Sequence, residues 1–320
     1  MGQQEMIQKR TVGIVGAGNV GVAAAYAMFL TQTVGEIILI DKETRRTEGE
    51  AMDLMHGQPY VGNITVHAGD YPELEKAQVV VITAGTAQRP GETRMDLLNR
   101  NISILKAITP QIDRYAPDAI LIVASNPVDI LTFAVQQLSA RSNRQIIGTG
   151  TMLDTARFRA LLGSYYGIDP RSVHANIIGE HGDTEVPVWS SAYIGSLPIV
   201  NSSIMNRDFD PDRMQNLFEQ VRNAAYAIIK RKGYTNTAIG VVIAKLVEAI
   251  VEDQKRVLTV SSRLNGEYGL SDICLSLPCV IGFGGVEAKI LPKLSPTEAE
   301  GLERSATFLR QKIDKIMLDS

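Results

Sequence analysis

A glycine triplet set between a strand and a helix constrains this chain more than any other feature. Residues 11–15, TVGIV, are a short β-branched apolar run that reads as a buried strand. They lead directly into Gly16-Ala17-Gly18-Asn19-Val20-Gly21. Residues 20–30 are rich in Ala, Met and Leu and read as a helix. Residues 36–40, EIILI, read as a second strand that ends on Asp41, 20 residues after Gly21. A lone G-x-G-x-x-G is weak evidence, but here it has its strand, its helix and its acidic residue, the context of a dinucleotide site. Gly16 permits the tight turn, Gly18 lets a pyrophosphate lie against the backbone, and Gly21 lets the helix pack on the strand. The pyrophosphate then meets the positive end of the helix. Asp41 can accept from a ribose 2′-hydroxyl and repels a 2′-phosphate, which favours NAD over NADP.

The same architecture continues. Residues 78–83 (QVVVIT) and 119–124 (AILIVA) are continuous apolar runs, as expected of parallel strands covered on both faces, and residues 145–148 add a shorter one. Helical patterns lie between them, notably over 96–115. Alternation of this kind predicts an α/β fold with a doubly wound parallel (Rossmann) sheet over residues 1–149. Ligands in such sheets bind at the carboxyl ends of the strands, where two polar loops follow. Residues 84–94, AGTAQRPGETR, carry Gly85 and Gly91 and can serve as a closing lid. Ser125-Asn126-Pro127 follows the other strand, and Asn126 offers a donor and an acceptor.

From Gly150 the pattern is less regular and predicts an α+β domain over 150–320. Residues 152–162 read as an amphipathic helix in which Asp154 and Arg157, three apart, can share a side. Alone, that pair reads as a surface ion pair of little consequence. Trp189 reads as packing. Residues 211–251 read as two helices broken near 233–236, residues 256–260 and 273–281 as strands, and residues 296–318 as a closing amphipathic helix. Between them stands Asn176-Ile-Ile-Gly-Glu-His-Gly-Asp183, with His181 flanked by Gly179 and Gly182. A histidine titrates near neutrality and can give or take a proton; alone, this one reads equally as a solvated loop residue.

Composition narrows the classes. The 320 residues are 45% hydrophobic with a net charge of −3, so a sizeable core is expected and no nucleic-acid partner. Cys274 and Cys279, five apart, match neither a zinc site nor a CxxC pair and read as reduced, partly buried thiols. No apolar run approaches a membrane span or a signal peptide, and the expected location is cytoplasmic.

Taken in order, GAGNVG with Asp41, AQRPGETR, SNPVD, LDTARFR and GEHGD resemble the L-lactate/malate dehydrogenase family from end to end, and its bacterial lactate-specific members most closely. The resemblance implies hydride transfer between NAD and a 2-hydroxy acid. It implies that His181 is the proton donor to the ketone, that Asp154 orients the imidazole and favours its charged form, and that Arg157 grips the substrate carboxylate. Arg94, carried on the lid, would polarise the carbonyl, and Asn126 would hydrogen-bond the substrate. The cofactor would be held by Gly16, Gly18, Asn19, Val20, Gly21 and Asp41, and by Thr83, Ala84, Gly85, Ser125 and Asn126. In the family it resembles, the lid residue six before the matching arginine faces the substrate side chain, and here that position is Gln88. A neutral Gln88 leaves oxaloacetate's second carboxylate desolvated and unpaired, a penalty of several kcal/mol. The expected substrate pair is therefore pyruvate and L-lactate, with oxaloacetate and malate as the alternative. Thr235 matches a second position beside the substrate side chain. Arg159 and His174 match positions that bind the phosphates of fructose 1,6-bisphosphate at a subunit interface, which implies an allosteric site in a homotetramer. A non-catalytic NAD-binding protein is the alternative of a different class, and the set His181, Asp154, Arg157, Arg94 and Asn126 argues against it.

Overall fold

The computed structural model describes residues 10–86, 91 and 93–318. The first half runs β1 (Thr11–Val15), α1 (Asn19–Thr31), β2 (Glu36–Ile40), α2 (Thr44–His56), α3 (Gln58–Val61), β3 (Thr65–Ala68), β4 (Val79–Ile82), α4 (Arg94–Tyr115), β5 (Ile120–Val123), α5 (Val128–Leu138) and β6 (Ile146–Gly148). The second runs α6 (Met152–Tyr166), β7 (Val173–His174), β8 (Ile177–Ile178), β9 (Val186–Pro187), β10 (Tyr193–Ile194), β11 (Leu197–Pro198), α7 (Pro211–Lys232), α8 (Thr237–Val251), β12 (Arg256–Asn265), β13 (Ser271–Gly282), β14 (Gly285–Lys289) and α9 (Pro296–Leu318).

Six parallel strands lie in the order β3-β2-β1-β4-β5-β6. The strand order reverses between β1 and β4, and a crevice opens there at the carboxyl ends of both strands. Every residue of β1, β2, β4, β5 and β6 is buried, which is why these segments carry unbroken apolar sequence. In β4, Val79 and Val81 pack into one core and Val80 and Ile82 into the other, as the two-residue period of a strand requires. β3, at the free edge, is only partly buried. Its TVHA sequence has no continuous apolar run, so the sequence reading did not anticipate it.

The second half departs from the expectation of a separate unit in one respect. β12, β13 and β14 are antiparallel and extend the nucleotide sheet beyond β6 to nine strands. β12 and β13 also run longer than the apolar stretches read from sequence, since one face of each alternates with polar residues. Helix α8 lies on α1; a Cβ on Gly240 would come within 2.7 Å of the Ala23 backbone, so only glycine permits that approach. Trp189 packs edge-on against Phe158 and Phe209, with ring centroids at 4.8 and 5.5 Å. Cys274 and Cys279 are free and fully buried, not partly so. Among the described residues no helix is long and apolar enough to cross a membrane.

Candidate active site

The glycine-rich turn is built by steric demand. Gly16 has φ of +112°, and a Cβ there would stand 2.4 Å from the Ala84 amide nitrogen. A Cβ on Gly21 would lie 2.0 Å from the Gly16 carbonyl oxygen, so α1 can sit on β1 only through glycine. Gly18 is different, because nothing lies within 4 Å of where its Cβ would be. The first two glycines serve the protein's own packing, and the third faces open space. Gly18 is also the N-cap of α1 and makes no side-chain cap bond, so the helix start, with Asn19 and Val20, presents backbone N–H groups outward. The space is a cavity of about 660 Å³ lined by Gly16, Gly18, Asp41, Thr83, Ala84 and Gly85 among others. Asp41 Oδ2 accepts from the Ala17 N–H at 2.8 Å, tying the end of β2 to the turn. The Thr83 hydroxyl donates to the Gly16 carbonyl at 2.5 Å and the Ser125 hydroxyl to the Ala84 carbonyl at 2.6 Å. This cradle fits a dinucleotide: a Cβ-free concavity at a helix N-terminus with a carboxylate at its far end.

The proton-transfer candidates converge from three elements. Asp154 is the third residue of α6 and is 3% exposed. The Thr151 hydroxyl donates to the Ile177 carbonyl at 2.6 Å, and the Ile177 N–H donates to the Thr155 hydroxyl at 3.0 Å. These bonds fasten β8 to the start of α6. The chain then reaches Gly179, which exchanges two backbone bonds of 2.9 Å with Ser276 on β13. Gly179 has φ of +90°, and a Cβ there would press within 2.8 Å of the Ser305 hydroxyl. The Ser305 hydroxyl also accepts from the Glu180 N–H at 2.6 Å. The loop so held delivers His181 Nδ1 to within 2.5 Å of Asp154 Oδ2. Arg157 Nη1, one turn along α6, lies 2.9 Å from Asp154 Oδ1. One buried carboxylate thus contacts an imidazole and a guanidinium together.

The electrostatics follow from that contact. Burial pushes the His181 imidazole toward its neutral form, but the Asp154 carboxylate outweighs it and holds the pKa at about 9. Burial likewise works against the Asp154 anion, and the His181 and Arg157 cations more than offset it, so its pKa is lowered. The sequence reading missed two further buried carboxyls. Glu185 is 6% exposed; burial and then the nearby Asp154 anion push its pKa up to about 9. Asp129, in the first turn of α5, is 2% exposed and accepts from the His181 backbone N–H at 2.8 Å. Nothing in sequence marks Glu185 out from polar loop residues, and an aspartate in a helix's first turn reads as a dipole partner.

The remaining expected residues fall as follows. Asn126 lies exposed at the end of β5, and its carbonyl accepts from the Asn101 amide at 3.1 Å. Arg94 opens α4 behind a Thr93–Asp96 capping box, and its description extends to the backbone. Gln88 lies outside the described residues. Thr235 is half-buried in the turn between α7 and α8, whose Asn236 amide reaches the Asn19 carbonyl at 3.3 Å. Arg159 stands apart from this site; it donates to the Ala175 carbonyl and to Asn176 Oδ1, each at 2.9 Å. His174 is exposed on β7, next to Ala175. The structure therefore brings Arg159 to the two residues that follow His174.

Comparison with known proteins covers both halves of the chain. Residues 10–148 match the family model described as the lactate/malate dehydrogenase NAD binding domain, and residues 151–318 match the model for the lactate/malate dehydrogenase alpha/beta C-terminal domain. A protein of Salinibacter ruber named L-lactate dehydrogenase is 58% identical, with 95% of this chain and 97% of that one covered. One of Synechococcus sp. with the same name is 50% identical over 95% and 98%. The crystal structure of a minor L-lactate dehydrogenase from Enterococcus mundtii superposes with a TM-score of 0.93 at 40% identity, covering 96% of this chain and 98% of its own. A lactate dehydrogenase from a Medee basin deep-sea metagenome library gives the same score and identity over 97% and 100%. With both halves matched by the two family models and relatives this similar over nearly the whole length, the chain belongs to the lactate/malate dehydrogenase family.

Proposed function

We propose that this chain catalyses the reversible, NAD-dependent reduction of pyruvate to (S)-lactate. One observation carries the reading: Asp154 contacts His181 and Arg157 with its two oxygens, so a proton donor and a carboxylate receptor are fixed by one anion. NAD, when bound, supplies or accepts the hydride. Gly18 and the N-terminus of α1 would take its pyrophosphate, and Asp41 its ribose hydroxyls.

The chain's own residues do the rest. Arg157 binds the pyruvate carboxylate through guanidinium N–H groups pointing away from Asp154. That salt bridge orients the ketone carbon toward the cofactor and its oxygen toward His181. Asp154 engages Nδ1, so the transferable proton is on Nε2. As hydride reaches the carbonyl carbon, the oxygen gains charge and takes the Nε2 proton. The products are the alcohol and a neutral imidazole. In reverse, neutral Nε2 takes the hydroxyl proton. Arg94 and Asn126 stabilise the developing oxygen charge, and closure of the lid excludes water from it.

Gln88 selects a methyl over a second carboxylate. Arg159 and His174 receive fructose 1,6-bisphosphate at a tetramer interface. This is supported by the seating of Arg159 beside the His174 strand and by the Arg256 cation near it. Burial and that neighbour both disfavour the Arg159 charge, and a bound anion relieves them. Assembly is supported by Tyr26, Leu30 and Val241, which stay 50–52% exposed on the adjoining helices α1 and α8. A cytoplasmic location is supported by the two free thiols.

The test is the rate of NADH oxidation with pyruvate and with oxaloacetate, with and without the bisphosphate. Preference for pyruvate is expected, with a lower apparent KM when the bisphosphate is present and no such effect in Arg159→Gln. Higher kcat/KM for oxaloacetate overturns the substrate assignment. Unchanged kinetics and assembly at saturating bisphosphate overturn the effector assignment.

A further inference from the structure

Asp129 is a buried acid that the mechanism above does not use. It lies three residues after Asn126, in the first turn of α5, and is 2% exposed. Pro127, at the N-cap of α5, gives no side-chain cap, and Asp129 is the one acid of the first turn. Its Oδ2 instead reaches across the fold and accepts the His181 backbone N–H at 2.8 Å, a contact between residues 52 apart. Its other oxygen is fully buried with the Ser261 hydroxyl facing it, and both atoms are shut off from water. A carboxylate kept in so poor a setting costs stability, and a neutral side chain would fill the space more cheaply.

We propose that Asp129 is a positioning residue: it fixes the His181 backbone against the start of α5, so that Asn126 and the His181 imidazole hold one spacing across the substrate carbonyl, and it sets a second counter-charge beside that imidazole. The inference rests on the function proposed above. The groups that face the imidazole are Asp154 from α6, Asp129 from α5, and Glu185 from the loop just before β9. Those that face Asp129 are His181, Glu180, the buried Cys274 thiol and, as a dipole, Ser261. Burial raises the Asp129 pKa to about 6, with the His181 N–H and the Ser261 hydroxyl opposing it, so Asp129 is an anion near neutrality. Glu185, its pKa pushed up to about 9 by burial, largely keeps its proton near neutrality, so its pull on the imidazole grows only at higher pH. Two anions therefore favour the proton on His181, one through Nδ1 and one from behind the backbone.

Two variants of the full chain separate the roles. Asp129→Asn keeps an acceptor for the His181 N–H and removes the charge. Asp129→Ala removes both. The readouts are kcat/KM for pyruvate across pH, with NADH as reductant, and the thermal midpoint of each protein. For Asp129→Asn the alkaline limb of the profile should move down by about one pH unit, the low end of what a nearby opposite charge does. Asp129→Ala should lose about tenfold or more in kcat for protein that is demonstrably folded, most of it recovered in the asparagine variant. An asparagine profile that superimposes on the unmutated one overturns the proposal, and this test stands even if the alanine variant fails to fold. If the unmutated chain does not turn over pyruvate, the functional reading falls and the proposal falls with it. Pyruvate turnover with an unmoved limb overturns the proposal alone.

Discussion

Replacing Asp154 with asparagine tests the centre of the mechanism. The change keeps the side-chain volume and removes the anion that His181 and Arg157 share. Without that anion, burial acts on the imidazole against only the weaker pull of Asp129, and its pKa falls toward the ordinary 6.5 from about 9 in the unmutated protein. The difference of ~2.5 pH units corresponds to about 3 kcal/mol of selective support for the protonated ring. The His181 side chain is 24% exposed, so water already screens part of this and the figure is a ceiling. In the proposed mechanism, pyruvate reduction requires the protonated ring. Near pH 8 the unmutated enzyme should still run close to its low-pH plateau, whereas the variant should fall about thirtyfold below its own plateau. The assay is kcat/KM for pyruvate across pH, read from loss of NADH absorbance. Arg157 also loses its partner, so the plateau itself should drop, and for that reason the position of the limb decides. An alkaline limb that stays near 9 in Asp154→Asn would refute the claim that Asp154 holds the proton on His181.

Three further outcomes follow from the same geometry. Gly21→Ala places a Cβ 2.0 Å from a backbone oxygen that cannot swing aside; it should cost about 1–3 kcal/mol in thermal unfolding and weaken NADH binding in a fluorescence titration. Asp41→Ala removes both the acceptor of the Ala17 N–H and the charge at the far end of the cradle; discrimination against NADPH, measured as a ratio of kcat/KM values, should shrink about tenfold. Glu185→Gln should stabilise the fold at alkaline pH. The folded chain holds a proton on Glu185 up to about pH 9, and the unfolded chain releases it near 4.5. Stability therefore falls as pH rises between those values. The variant should lack this share of the decline and gain about 2 kcal/mol or more near pH 8, read from urea midpoints.

Sequence carried the nucleotide half further than the other because its constraints are local. Gly16 and Gly21 are demanded by backbone atoms within a few residues of the turn or one strand away, and unbroken apolar runs mark strands buried on both faces. The pair Asp154–His181 spans 27 residues, and its partners meet only because Thr151, Thr155 and Ser276 fasten β8 in place. No periodicity encodes that meeting; resemblance to a family supplied it. Asp129 and Glu185 were out of reach for a further reason. Burial gives each its character, and a carboxylate's burial depends on which surfaces close over it. β12 and β13 were legible as strands but not as members of the nucleotide sheet, since apolar pattern does not name a pairing partner.

The join between β6 and β12 is narrow, with Gly148 and Ser261 as its one registered pair. A Cβ on Gly148 would fall 2.3 Å from the Thr132 hydroxyl and 2.8 Å from Ser261, so the contact is already at its closest. One continuous core holds Ile82 and Leu121 together with Leu275 and Leu277. Cutting the chain near residue 149 would leave a raw strand border and half of an apolar interior open to water, a template for aggregation rather than a working nucleotide module. The boundary between the two family-model matches is thus not a seam along which the molecule comes apart, and the chain should melt in one cooperative step.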